Sequence, residues 1–372
     1  MKYSTSFLDV RFFLFLSFIL VLLTNNYFSL EESFYFGARD GEDYYIIADN
    51  FENLPYQKLD YHKAWRFILP SIIGITAKTF NFDVYLTFSF FTIIACISSI
   101  IFFYLILKKL KIDNFHIFYL TSFLIFNPYL IRYFLALPTM INDIVFINSG
   151  LIILLGLLNS KKSLFYFGFL LALFTRQNSI FFLLSIIISK FVFKNKSIIE
   201  IKDIIYLTIL TFVLFLINNE FANDNTIYNG TYSLVNRFHL FTFDYTLLDF
   251  LKYNLFSLVI ILPIFFYLIF EKKIFIFNNV KKEFFLITSL IVVFMISVAY
   301  VGGPLITGKN LIRLINLAYP LLLLSLIMLF DLRENKKFLI KSFFYFPLFF
   351  IWSLHPTYSI VNFFSFLKFN IF

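Results

Sequence analysis

The chain has 372 residues, of which 60% are hydrophobic, 23% aromatic and 14% charged; its formal net charge is +9 and its mean hydropathy +0.84. Soluble domains carry about 25% charged residues, so this composition excludes an ordinary soluble enzyme and reads as a polytopic membrane protein with no separate soluble domain. A lone cysteine, Cys96, excludes intrachain disulfides and Cys-based metal sites; four scattered histidines offer no local zinc motif, and no phosphate-binding G-x-x-x-x-G-K-[ST] stretch is present.

Apolar segments predict spans at roughly 11–30, 84–107, 115–133, 141–159, 163–174, 178–194, 203–218, 246–270, 284–301, 313–330 and 338–354, about eleven helices of an all-α, single integral-membrane domain over 1–372. Basic clusters at Lys2/Arg11, Lys108/Lys109/Lys111, Lys161/Lys162, Lys190/Lys194/Lys196/Lys202, Lys272/Lys273/Lys281/Lys282 and Arg333/Lys336/Lys337/Lys341 all fall on one side of that topology. By the positive-inside rule the N-terminus is cytoplasmic and the C-terminus extracytoplasmic, the arrangement expected in a bacterial inner membrane, and the +9 charge reports topology rather than nucleic acid. The first span, with no small-residue cleavage site after it, reads as a retained anchor. The loop at 31–83 holds nine of the 22 acids and ends in an apolar stretch, 66–82, read as a helix lying in the outer interface. Of eight arginines only Arg11 and Arg333 map to the cytoplasmic side; Arg39, Arg66, Arg132, Arg176, Arg237 and Arg313 map outside, where a planar guanidinium suits phosphate or carboxylate. The 59 Phe accompany a composition rich in Ile, Lys and Asn, and stretches such as Phe343 to Phe350 read as bilayer contact. Asn229-Gly-Thr231 fits a glycosylation acceptor, a motif that often matches by chance.

In the first loop, Arg39-Asp40-Gly-Glu42-Asp43-Tyr44-Tyr-Ile-Ile-Ala48 places Asp40, Tyr44 and Ala48 on one face if helical. An ionised Asp40 outside the bilayer is either a general base toward a hydroxyl or an acidic helix cap. Asp40, Glu42 and Asp43 are compatible with a divalent cation but do not demand one. Thr175-Arg176-Gln177-Asn178 divides two apolar segments too short to cross separately, which puts Arg176 in the outer half of the membrane, either facing a wet cavity or reaching the interface. Asp143 at the outer start of a span caps it, orients Arg132 or Arg176, or binds the acceptor. In and after the Gly302–Asn310 loop, Lys309 and Arg313 are either contacts for a lipid-linked phosphate or solvated charges beside membrane headgroups.

Asp40-Gly-Glu-Asp-Tyr44-Tyr-Ile-Ile-Ala48, just after a first transmembrane helix, resembles the first-loop motif of the GT-C glycosyltransferases, most closely the Asp-Gly-x-x-Tyr-x-x-x-Ala form of mannosyltransferase-like branches. Arg66 to Pro70, Pro138 with Asp143, Thr175-Arg176-Gln177-Asn178 and Arg313 with Pro320 are similar to further family stretches in the same order. The resemblance implies a GT-C-like fold and transfer of a sugar from a polyprenyl-phosphate donor to a lipid-linked, glycan or protein acceptor. It places catalysis on Asp40; Arg66, Arg176, Lys309 and Arg313 are the candidates to hold the donor phosphate. Glu42, Asp43, Tyr44, Asp143, Gln177 and Asn178 are in supporting positions. A lipid-linked polysaccharide polymerase is the enzymatic alternative and a polytopic transporter or flippase the non-enzymatic one, although no internal repeat is evident.

Overall fold

The computed structural model describes residues 10–35, 39–56, 59, 61–194, 197, 199–222, 279–301, 311–328, 338–355 and 357–360. Among them the chain is all-helical, with isolated bridges but no strands. In order the helices are α1 (Val10–Leu23), α2 (Leu30–Tyr35), α3 (Arg39–Asp49), α4 (Tyr61–Ala64), α5 (Ile68–Phe80), α6 (Val84–Lys109), α7 (Asn114–Ile125), α8 (Ile131–Ala136), α9 (Ile141–Leu158), α10 (Lys162–Thr175), α11 (Ile180–Phe193), α12 (Ile201–Phe221), α13 (Asn279–Val301), α14 (Leu311–Met328) and α15 (Phe338–Ser353).

Among the described residues, three segments are long and apolar enough to cross a membrane: α6, Pro138–Leu158 and α12. Burial separates them, because 89% of the apolar window in Pro138–Leu158 is buried against 22% in α12, so α9 is central and α12 peripheral. On α6 the exposed residues Leu86, Phe90, Ile94, Ile97, Ile101 and Leu105 recur every three or four positions, which makes one continuous outward apolar stripe. Ile201, Ile205, Ile209, Phe212 and Leu216 do the same on α12.

Several sequence boundaries shift for local reasons. The predicted span at 115–133 ends as α7 at Ile125, then breaks at Asn127-Pro128, where Asn127 Oδ1 accepts from the Tyr129 N–H before α8 begins. The first span stops at Leu23, where the Thr24 hydroxyl turns back to the Leu20 carbonyl and the following backbone pairs with residues 358–360. The interfacial segment at 66–82 becomes α5, with Pro70 in its first turn, where a missing N–H costs no helical bond. Helix α12 opens with a reciprocal cap between Glu200 and Asp203. The expected span at 246–270 and Lys309 lie outside the described residues.

Phenylalanine also builds the interior: Phe88, Phe103, Phe118, Phe126, Phe146 and Phe169 are fully buried. In the 343–350 stretch, Tyr345, Phe346 and Phe349 pack edge-on against Tyr119, Phe126 and Phe123 of the α7 segment rather than all facing outward.

Glycines fix the two helix crossings that position the acidic loop and the arginine break. At Gly156 an added Cβ would lie 2.6 Å from the Phe165 backbone nitrogen, and at Gly168 2.8 Å from that of Ile153, so α9 and α10 form a hairpin in backbone contact. At Gly74 on α5 a Cβ would fall 2.0 Å from the Ala48 carbonyl oxygen of α3. Gly74→Ala is therefore expected to destabilise the protein by about 1–3 kcal/mol, read as thermal unfolding in detergent. The exposed neighbour change Ile75→Ala should stay within about 0.5 kcal/mol.

Candidate functional site

The hairpin sets Asp143, in the first turn of α9, beside Arg176, the residue after α10. Asp143 does not cap α9; Met140 occupies that position without a side-chain cap. Instead the Asp143 carboxylate is divided between two arginines: Arg176 Nη1 donates to Oδ1 at 2.7 Å and Arg313 Nε to Oδ2 at 2.5 Å. Arg176 itself takes extended backbone (φ −156°, ψ 144°) between α10 and the short 3-10 turn Gln177–Ser179, which is the break expected from the two short apolar segments.

Helix α14 carries Arg313 in its first turn, and this side chain links two acids. Its Nη2 donates to Asp40 Oδ2 at 3.1 Å while its Nε holds Asp143. Asp40 lies in the first turn of α3, one turn before the buried Tyr44 and two before the buried Ala48, so the expected common face forms. Arg66, in the turn before α5, donates through Nη1 to the Tyr44 hydroxyl oxygen at 2.8 Å and approaches Asp40 Oδ2 at 3.4 Å. Asn142 Nδ2 donates to the Arg66 carbonyl at 3.2 Å, which ties that turn to the start of α9.

Five segments distant in sequence thus bring three guanidinium groups and two carboxylates together. Among the described residues the sum is one positive charge in excess, and the Nε groups of Arg66 and Arg176 are buried donors without a hydrogen-bond partner. Access differs sharply between the acids: the Asp143 side chain is fully buried, whereas 44% of Asp40 is exposed. Asp40 is therefore the acid a ligand reaches first.

Burial alone raises the pKa of Asp40, but the charges of Arg313, Arg66 and Arg176 outweigh it and hold the carboxyl at about 2. A depressed acid contributes stability above its unfolded value and loses it as pH falls through the folded one. His355, past the end of α15, is held at about 4 by burial and by Arg132; its Nδ1 accepts from the Thr357 and Tyr358 N–H groups, so protonation breaks those bonds. Stability is expected to fall first between about pH 6.5 and 4 through His355, then between about pH 4 and 2 through Asp40. Thermal unfolding across pH checks this: His355→Gln should remove the upper step and Asp40→Asn should diminish the lower one.

The supporting residues divide. Tyr44 and Asp143 belong to the cluster, and Gln177 and Asn178 are partly buried in the turn after Arg176. Glu42 is exposed, and Asp43 faces Lys63 at 2.9 Å. Asp40, Glu42 and Asp43 do not converge as a cation site, and no group of three metal-ligating side chains occurs among the described residues. Arg132 stands apart from the cluster, fully buried, donating to the Thr24 carbonyl and hydroxyl and to the Ser353 hydroxyl at 2.8–3.0 Å. Sequence reasoning missed Asn142, which carries no local motif.

Comparison with protein-family models, curated proteins and solved structures finds no match to the chain.

Proposed function

We propose that the chain is an integral membrane glycosyltransferase of GT-C type that moves a sugar from a polyprenyl-phosphate donor to a lipid-linked, glycan or protein hydroxyl on the extracytoplasmic face. The observation that carries this reading is the cluster of Arg66, Arg176 and Arg313 with only two carboxylates, at the end of α9 opposite Lys161 and Lys162. Its excess positive charge and orphaned buried N–H donors suit a phosphate group. An 18-residue helix separates the two ends by about 27 Å, close to the thickness of a hydrocarbon core. The continuous outward apolar stripes of α6 and α12 support the membrane setting.

In the reaction, the acceptor oxygen bonds to the anomeric carbon as the bond from that carbon to the phosphate oxygen breaks, and polyprenyl phosphate departs with the electron pair. The arginines stabilise the negative charge that grows on the leaving phosphate. Both arginine contacts to Asp40 fall on Oδ2, so among the described residues Oδ1 keeps its lone pairs for the acceptor hydroxyl. A carboxylate held near pKa 2 is a weak resting place for a proton, whereas a phosphate monoester has a second pKa of about 6. Asp40 therefore orients the hydroxyl, and the proton ends on the leaving phosphate or in water.

A second reading, lipid transport, draws on the helix pair broken at Arg176, since discontinuous helices with charged groups also line transport paths. The deciding experiment incubates purified protein with synthetic polyprenyl-phosphate sugars and cell-envelope acceptors. Formation of a glycosylated product, lost in Asp40→Asn at normal protein yield, supports transfer; lipid translocation without product supports transport.

A further inference from the structure

Helices α1 and α6 both pack on α7 and barely touch one another, which leaves an open groove of about 700 Å³ between them. One end is formed by Arg11 of α1 and Lys108 of α6, with Tyr104 one turn before the lysine; the other end is formed by Leu22 and Ile93. Among the described residues, those lining the groove between these ends are apolar, with Ile97 one turn from the Ile93 end, and none is acidic. From Arg11 to Leu22 a helix rises about 16 Å, half of a hydrocarbon core of about 30 Å. The groove is thus one leaflet deep, apolar along its length and cationic at its mouth.

We infer that this groove binds one anionic phospholipid, with acyl chain against α1 and α6 and phosphate at Arg11 and Lys108. Basic pockets between membrane helices on the cytoplasmic side recognise acidic headgroups in this way, and Lys109 and Lys111 follow directly in the chain, adding to the local positive field. The site is separate from the arginine cluster. On α6, Thr92 donates to the Pro138 carbonyl at the start of the α9 segment, and a helix carries Lys108 about 24 Å away from it. The inference rests on the membrane placement proposed above, not on the transferase chemistry.

The test extracts the full chain from membranes in mild detergent, exchanges it into an equimolar mixture of phosphatidylglycerol and phosphatidylcholine, and counts retained lipid by native mass spectrometry. Wild type should retain phosphatidylglycerol preferentially. At about one basic group's contribution each, the double variant Arg11→Gln/Lys108→Gln should lose that preference by about 30-fold. Ile97→Trp, which fills the groove without changing charge, should lose the bound lipid, whereas Phe212→Trp on the exposed face of α12 should not. Equal retention of both lipids by wild type, or a preference unchanged in both groove variants, overturns the inference. Displacement of phosphatidylglycerol by equimolar polyprenyl phosphate overturns the choice of phospholipid. A chain recovered outside the membrane fraction overturns the membrane placement together with the groove, while failure of sugar transfer leaves the lipid result standing.

Discussion

Asp143→Ala is expected to cost about 3–5 kcal/mol of stability, because it strands two buried guanidinium groups without a counter-charge. Arg176 and Arg313 are both at most 9% exposed and cannot shed a proton to escape the cost. Against a typical total of about 5–15 kcal/mol, this is the largest loss a single change in the cluster should produce. The measurement is thermal unfolding and yield in the membrane fraction. Asp143→Leu combined with Arg176→Met should recover part of the loss, since an apolar pair of similar volume replaces a buried ion pair at little cost. The two changes share partners and will not add. A shift for Asp143→Ala no greater than that of a surface change would mean that water already solvates both arginines.

Asp40→Asn should behave in the opposite way, with small effect on stability and large effect on turnover. At 44% exposure its ion pairs are screened, and pairs of that kind contribute about 0–1 kcal/mol. The amide keeps the shape but loses the ionised acceptor that the proposed reaction uses to align the hydroxyl, a misplacement on the order of 10²-fold in rate. Product formation from a polyprenyl-phosphate sugar, at matched protein concentration, measures the drop. Asp40→Glu keeps the charge but shifts it by a methylene, so it should restore the pairing with Arg313 better than the rate. Wild-type turnover in Asp40→Asn would remove Asp40 from the reaction, and its convergence with the arginines would then be structural.

The parts of this arrangement that could be read in advance are those set by local spacing. Asp40, Tyr44 and Ala48 share a face because a helix repeats every 3.6 residues, and Arg176 marks a break because the flanking apolar segments are short. Asp143 was legible only as a choice among a cap, a partner for Arg132 or Arg176 and an acceptor contact. The choice between cap and partner is settled by backbone contact at Gly156 and Gly168, which no pattern of charge announces. That Arg313 meets both acids depends on how α14 packs against α9, and Arg132 finds Thr24 and Ser353 through contacts 108 and 221 residues away. The phenylalanines mislead for a related reason: hydrophobicity is alike for a ring facing lipid and a ring in the core, so only packing separates Phe90 from Phe88.

The separation of 273 residues between Asp40 and Arg313 also sets an order of events during synthesis. At about 5–20 residues per second, Arg313 leaves the ribosome roughly 7–27 s after Arg176. Until then the hairpin of α9 and α10 holds Asp143 with a single arginine, a neutral pair, and Asp40 has only Arg66 at hand. The nascent protein is thus charge-balanced at this end while half-made and gains its surplus cation with α14. The surplus cation therefore arrives only when α14 is made.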